Sequence, residues 1–151
     1  MLRKILLIVS LLFVTQAYAV ELQDSQHNVI TSATLAGKWV IVNYWAQWCG
    51  ACAEETPELN HLYEANQQSD VLIYGVNFDH ASPDETLAVS QRMGIKYPVL
   101  LQDPNVMWRL GAVTLLPTTF IINPQGKVVE KIIGAHTEAS MLAILAALKK
   151  S

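Results

Sequence analysis

The sequence contains very little cysteine, since its 151 residues include only two, Cys49 and Cys52. Any disulfide chemistry must therefore depend on this one pair. Basic clusters are also missing, and the formal net charge is −3, which argues against a nucleic-acid partner. No internal repeat, low-complexity segment or linker interrupts the chain, and its length is typical of one domain.

The amino-terminal segment has no apolar run long enough to span a bilayer. Its run, Ile5–Val14, falls far short of the ~20 residues that a membrane helix needs. The basic pair Arg3-Lys4 precedes this run, and Ala17-Tyr18-Ala19 follows it with small residues at both cleavage positions. We therefore expect residues 1–19 to be a signal peptide and residues 20–151 to form the mature domain. An uncleaved membrane anchor is the alternative.

Apolar runs and helical patterns alternate along the rest of the chain. The run Lys38–Trp45 is rich in β-branched and aromatic residues and predicts a central strand buried on both faces. Other predicted strands or short apolar segments are Asn28–Thr31, Val71–Phe78, Tyr97–Leu101, Thr118–Ile122 and Lys127–Ile133. Helices are predicted at Cys49–Gln68, from Ser82 to Met93, from Asp103 to Gly111, and after Thr137 with Met141, Leu142, Ile144, Leu145 and Leu148 on its apolar side. This order predicts an α/β fold, a central mixed sheet flanked by helices, with an antiparallel hairpin at one side.

The two cysteines lie where the first long strand meets the first long helix. A C-x-x-C pair at the start of a helix predicts a dithiol that cycles between two thiols and one disulfide. We expect Cys49 to be the exposed nucleophile, because the helix amino terminus favours its thiolate, and Cys52 to resolve the mixed disulfide. A purely structural disulfide is the alternative, although so short a loop would add little stability.

Three further residues are candidates for roles at this pair. Glu55 follows Cys52 by three residues on the same helical face and is a candidate base, but spacing alone equally allows a solvent-facing acid. Trp48 is expected to shield the disulfide and to offer an apolar surface to a client protein. Pro117 precedes the predicted hairpin, and the rarity of cis X–Pro bonds favours a trans peptide there.

Two motifs resemble the thioredoxin superfamily, and within it the secreted TlpA- and ResA-like thiol–disulfide oxidoreductases with an AhpC/TSA-Redoxin type domain. The first is Val42–Cys52 followed by Glu55 and Pro57, and the second is Leu116–Val129. The similarity runs from about Trp39 to Leu148, nearly the whole mature chain.

The resemblance implies a thioredoxin-like fold in which Asn77–Val113 is an inserted helix and strand before the carboxy-terminal hairpin and helix. It also implies a proton-handling role for Glu55 and a cis bond before Pro117, with Leu116 and Pro117 binding the client. The residues between the cysteines are Gly50-Ala51, unlike the Gly-Pro of thioredoxin, so no reduction potential is carried over.

The function expected from these features is that of an exported, periplasmic protein-disulfide reductase, possible clients being apocytochrome c or a metallochaperone. A membrane thiol electron donor would recharge it, and we expect a monomer with no cofactor or metal and no lasting membrane insertion. A thiol oxidant or isomerase is the main alternative. Metal binding is less favoured because His27, His61, His80 and His136 are scattered, and a peroxidase is disfavoured because no T-x-x-C pattern is present.

Overall fold

The computed structural model describes residues 20–150, so the predicted signal peptide at 1–19 lies outside the described residues. The strands are β1 (Leu22–Gln23), β2 (Val29–Ile30), β3 (Trp39–Trp45), β4 (Val71–Asn77), β5 (Val99–Leu100), β6 (Thr118–Ile122) and β7 (Val128–Ile133). The helices are α1 (Ser32–Leu35), α2 (Gly50–Ala65), α3 (Pro83–Arg92), α4 (Asn105–Trp108) and α5 (Glu138–Leu148). Within residues 20–150, none of the helices combines the length and the apolar character needed to cross a bilayer.

Five strands form one mixed sheet in the order β5-β4-β3-β6-β7. Strand β3 lies at its centre, parallel to β4 and antiparallel to β6, and all seven of its residues are buried. Asn43, its single polar residue, is in register with Gly75 of β4 and Thr119 of β6. The predicted central strand and the antiparallel hairpin β6–β7 are both confirmed.

Successive side chains of β3 point to opposite faces of the sheet, and each face is covered by a cluster of buried residues. Ile41 packs with Leu59 of α2 and with Met141 and Leu145 of α5. Val42, on the opposite face, packs in a second cluster with the β1–β2 pair, α1 and α4; the members from those elements are Leu22, Ile30, Leu35 and Trp108. The central mixed sheet flanked by helices is therefore present as predicted.

The first two strands form their own antiparallel pair, whereas the sequence predicted only one short edge strand near Asn28–Thr31. This pair is attached to β5 through backbone hydrogen bonds. Ser25 N donates to Val99 O at 2.7 Å, and Leu101 N donates to Gln23 O at 2.8 Å. Helix α1, which follows the pair, was not predicted.

The predicted helix starts agree with the observed caps. Ser82 caps α3 and Thr137 caps α5, each side chain accepting a backbone N–H of the first turn. Helix α2 ends at Ala65, three residues earlier than predicted. The apolar side predicted for α5 included Leu142, but this residue is 42% exposed and does not belong to the buried side of the helix. The inserted segment contributes α3 and β5, in agreement with the family resemblance.

Candidate active site

The two cysteines lie at the carboxyl end of β3, where the central strand passes into α2. Cys49 is the N-cap residue of α2, and its Sγ accepts a hydrogen bond from Cys52 N at 3.1 Å. A disulfide joins Cys49 to Cys52, with their Cα atoms 5.2 Å apart. The amide that points at Sγ of Cys49 can stabilise a thiolate there when the disulfide is reduced.

Cys49 is less exposed than the sequence predicted. In the disulfide form it is 7% exposed and Cys52 is 2% exposed, so Cys49 is the more accessible of the two residues but only by a small margin. The disulfide packs in an apolar cluster that includes Trp45 and Ala46 of the strand end and the half-buried Leu116. This packing explains the low exposure.

Trp48 lies on the surface beside the disulfide and is 67% exposed. Its indole Nε1 donates to Asp79 Oδ1 at 3.0 Å, and its ring packs against the Phe78 ring in a T-shaped arrangement with the centroids 6.3 Å apart. These two contacts orient the ring while leaving most of it open to solvent. The position is compatible with the predicted contact to a client.

The segment before β6 also reaches the cluster that holds the disulfide. The Leu116–Pro117 peptide bond is cis, as the family resemblance implied and contrary to the expectation from X–Pro statistics. Pro117 is buried, whereas Leu116 is half buried and packs against the cluster that holds both cysteines. The structure therefore brings Leu116, Trp48 and the disulfide to one region of the surface.

Glu55 is buried in α2, one helical turn beyond Cys52, and is only 2% exposed. The solvent-facing alternative is therefore wrong. Its Oε2 accepts a hydrogen bond from Asn43 Nδ2 at 2.8 Å, and its Oε1 accepts one from His136 N at 3.0 Å. Burial raises the pKa of Glu55, and the Asn43 and His136 contacts offset this increase only in part.

Asn43 connects Glu55 to further polar groups between the sheet and α2. Its Nδ2 also lies 3.0 Å from Thr119 Oγ1, and its Oδ1 accepts from the Tyr97 hydroxyl at 3.4 Å. Tyr97 is 2% exposed, and its burial together with the Glu55 charge raises the pKa of its hydroxyl, which stays protonated at neutral pH. A buried carboxyl group is thus surrounded by neutral hydrogen-bonding partners.

Sequence reasoning did not identify three partners of this network, namely Tyr97, Thr119 and His136. Thr119 lies within the second motif and pairs in register with Asn43, so strand pairing was the signal that could have found it. His136 contacts Glu55 through its backbone N–H, and such a contact cannot be predicted from the pattern of side chains in the sequence.

Metal ligands are not grouped in the part of the chain that the structure describes. Residues 20–150 contain no set of three or more histidine, cysteine, aspartate or glutamate side chains that could hold a metal ion. Both cysteines are joined to each other, and His136 directs its Nδ1 at the Gly134 carbonyl oxygen, 2.9 Å away.

Comparison with known proteins gives consistent matches. The model of the AhpC/TSA family matches residues 14–131. The thiol-disulfide oxidoreductase ResA of Bacillus subtilis is 35% identical over 121 residues, which cover 78% of this chain and 65% of that protein. The protein of the same name from Geobacillus thermodenitrificans is 32% identical over 129 residues, 85% of this chain and 72% of that protein.

Among solved structures, a thioredoxin family thiol:disulfide interchange protein from Chlorobium tepidum TLS matches with a TM-score of 0.70 at 25% identity. The match covers 85% of this chain and 92% of the other. The thioredoxin-like fold predicted from the two motifs is confirmed. The chain spans about two thirds of the length of the Bacillus subtilis relative, 65% by the matched region.

Proposed function

The chain belongs to the AhpC/TSA family, and from this premise we propose that it is a thiol–disulfide oxidoreductase that reduces disulfides in exported client proteins. Two of its relatives are named thiol-disulfide oxidoreductase ResA. In this chain a disulfide joins Cys49, the N-cap residue of α2, to Cys52 within its first turn. The described state is the oxidised product of the proposed reaction.

The proposed reaction begins with the reduced pair. The Cys49 thiolate attacks one sulfur of a client disulfide, forms a mixed disulfide, and releases the other client sulfur as a thiolate that takes up a proton. Cys52 then loses its proton and attacks Sγ of Cys49. The bond between Cys49 and the client breaks, the second client sulfur leaves as a thiol, and two electrons have passed from the protein to the client.

Glu55 is the observation that carries the proposal. A buried carboxylate, one turn from Cys52 and with a raised pKa, can accept the Cys52 proton when that thiol attacks. It can then return the proton to the departing client sulfur. A purely structural disulfide would not require a buried acid nearby, because burying a carboxyl group costs desolvation free energy.

Client binding is assigned to the surface around the disulfide. Trp48 offers an exposed ring and Leu116 offers a half-buried apolar side chain. Pro117 connects Leu116 to the start of β6. An extended client segment lying across these residues would present its own disulfide to Cys49.

Replacement of one cysteine at a time tests the roles. Cys52→Ser is expected to accumulate mixed disulfides with clients, because attack by Cys49 continues while resolution is lost. Cys49→Ser is expected to abolish turnover and to trap nothing. The mixed disulfides are counted on non-reducing gels. If only Cys49→Ser accumulated them, the nucleophile would be Cys52 and the resolving cysteine Cys49.

The reduction potential tests the direction of electron transfer. A value of about −250 mV or lower supports a reductant, whereas a value near −120 mV supports an oxidant or isomerase. We expect the lower value, with a membrane thiol carrier as the source of electrons. Identification of the proteins captured by Cys52→Ser would show whether apocytochrome c is among the clients.

Export to the periplasm is part of the same proposal, with cleavage after Ala19 releasing a monomeric domain from residue 20 onward. The apolar run Ile5–Val14 with its basic start supports this assignment. Amino-terminal sequencing of the protein recovered from the periplasm tests it. Recovery of the intact chain in the membrane fraction would instead favour the uncleaved anchor.

A further inference from the structure

The turn between β7 and α5 is linked to the active site at three points. Gly134 N donates to Pro117 O at 2.9 Å, which ties the start of the turn to the residue after Leu116, whose side chain packs in the cluster that holds the disulfide. His136 N donates to Glu55 Oε1 at 3.0 Å. Glu138 N, in the first turn of α5, donates to Glu58 Oε2 at 2.8 Å. Two acids of α2, Glu55 and Glu58, therefore receive backbone N–H groups from this one turn.

The side chain of His136 fixes the middle of the turn. Its Nδ1 lies 2.9 Å from the carbonyl oxygen of Gly134, two residues earlier. Because a carbonyl oxygen only accepts hydrogen bonds, Nδ1 carries the proton in this contact. Gly134 has φ of +95°, a conformation that suits glycine and lets the chain reverse before His136. The ring contact closes the turn on itself and sets the direction of the His136 amide.

We infer that His136 is a positioning residue for Glu55: its ring, held on the Gly134 carbonyl, directs its own backbone N–H at the buried carboxyl group. This inference rests on the proposed function, in which Glu55 handles the Cys52 proton. The hydrogen bond from the His136 N–H favours the carboxylate form of Glu55, so His136 limits how strongly Glu55 retains a proton. Without that limit the carboxyl group would remain protonated and would be a poor acceptor for the thiol proton.

Few titratable groups face Glu55 from the elements packed around it. Cys52 and Glu58 lie one turn before and one turn after Glu55 on α2, Tyr97 lies in the segment before β5, and His136 lies in the turn. Asn43 of the central strand is neutral, and Tyr97 stays protonated at neutral pH. Among these groups, a positive charge on the His136 ring would also favour the Glu55 carboxylate.

The test compares His136→Ala with His136→Asn in the oxidised protein, with His61→Ala as the matched control. Asparagine keeps an N–H donor close to the position of Nδ1 but cannot carry the ring charge. His61 is an exposed histidine on α2 and has no hydrogen bond to Glu55. The Glu55 titration is followed by carbon NMR of its carboxyl group, assigned with Glu55→Gln.

We expect His136→Ala to raise the proton affinity of Glu55 roughly tenfold, the effect of losing one hydrogen bond to a carboxylate. His136→Asn should recover most of this change, and His61→Ala should leave Glu55 unaltered. The amide proton of residue 136 should shift with the ionisation of Glu55 in the wild-type and asparagine proteins and not in the alanine variant.

Three results would overturn the positioning role. His136→Ala could titrate as the wild type does, which would mean that the contacts of Gly134 and Glu138 suffice to hold the turn. His136→Asn could behave as His136→Ala, which would assign the effect to the ring charge. His61→Ala could give an equal change, which would indicate a general charge effect. Because no client is used, these outcomes are independent of whether the protein is a reductase.

Discussion

Replacement of Glu55 by glutamine should make the protein more stable and a poorer catalyst. The carboxyl group is 2% exposed, and burial raises its pKa although two donors favour its charged form. The folded protein therefore binds this proton more tightly than the unfolded chain does, and ionisation of Glu55 at neutral pH costs folding free energy. Glutamine has the same shape as the neutral acid and avoids this cost, but it cannot accept the Cys52 proton.

The hydrogen bonds around Glu55 can adapt to glutamine. His136 N would still donate to the amide oxygen, whereas the new NH₂ group would meet Asn43 Nδ2, another donor. A flip of the Asn43 amide turns its oxygen toward glutamine. The neighbours of Asn43 are the hydroxyls of Thr119 and Tyr97, and hydroxyls can donate as well as accept, so both contacts survive the flip.

The sign and size of the effect follow from linkage. Below the unfolded-state pKa of about 4.3 both states are protonated, and the charge costs nothing. As pH rises, the unfolded chain loses its proton first, so wild-type stability falls until the pH passes the native pKa of Glu55. Each unit of pKa difference corresponds to about 1.4 kcal/mol, so the stability advantage of Glu55→Gln over wild type should grow as the pH rises above the unfolded-state value.

Urea unfolding of the oxidised protein between pH 3 and pH 8 measures this difference. Glu54→Gln is the matched control, because Glu54 is the exposed neighbour on the same helix and its replacement removes the same charge. We expect the curves of Glu55→Gln and wild type to converge at pH 3 and to diverge above pH 5, with Glu54→Gln following wild type. A glutamine variant that is less stable at pH 8, or a difference that does not change with pH, would refute the reasoning.

Three other replacements have expected outcomes. Gly75→Ala should destabilise by about 1–3 kcal/mol in urea unfolding, because the added Cβ would lie 2.7 Å from Trp45 Nε1 in a packed core. Thr137→Ala should cost about 1 kcal/mol through loss of the α5 cap, and Thr137→Ser should restore it. Trp48→Ala should leave unfolding within about 1 kcal/mol of wild type, because the ring is largely exposed, yet slow client reduction severalfold in a stopped-flow assay.

Local patterns in the sequence were enough to predict most of the secondary structure. The apolar run ending at Trp45 marked the central strand, and Ser82 and Thr137 marked two helix starts by their capping chemistry. The first strand pair and α1 were harder to predict, because elements this short have little periodicity and, unlike α4 after Pro104, no proline marks where they begin.

The active site was likewise predictable only in part. Cys49 and Cys52 were evident from their spacing, whereas the surroundings of Glu55 were not, because helical periodicity gives the face of a residue but not what packs against it. Asn43 lies 12 residues away and His136 lies 81 residues away, and only the folded chain brings them to the carboxyl group. The low exposure of Cys49 likewise depends on Leu116, which is distant in sequence.

The attachment of the first strand pair to β5 has a consequence for how molecules of this protein meet each other. A bare sheet margin invites strands from neighbouring molecules and so promotes aggregation. Here Val99 O and Leu101 N are already occupied by Ser25 and Gln23 of the same chain. The amino-terminal pair therefore covers this edge of the sheet and leaves these backbone groups unavailable to a strand of another molecule.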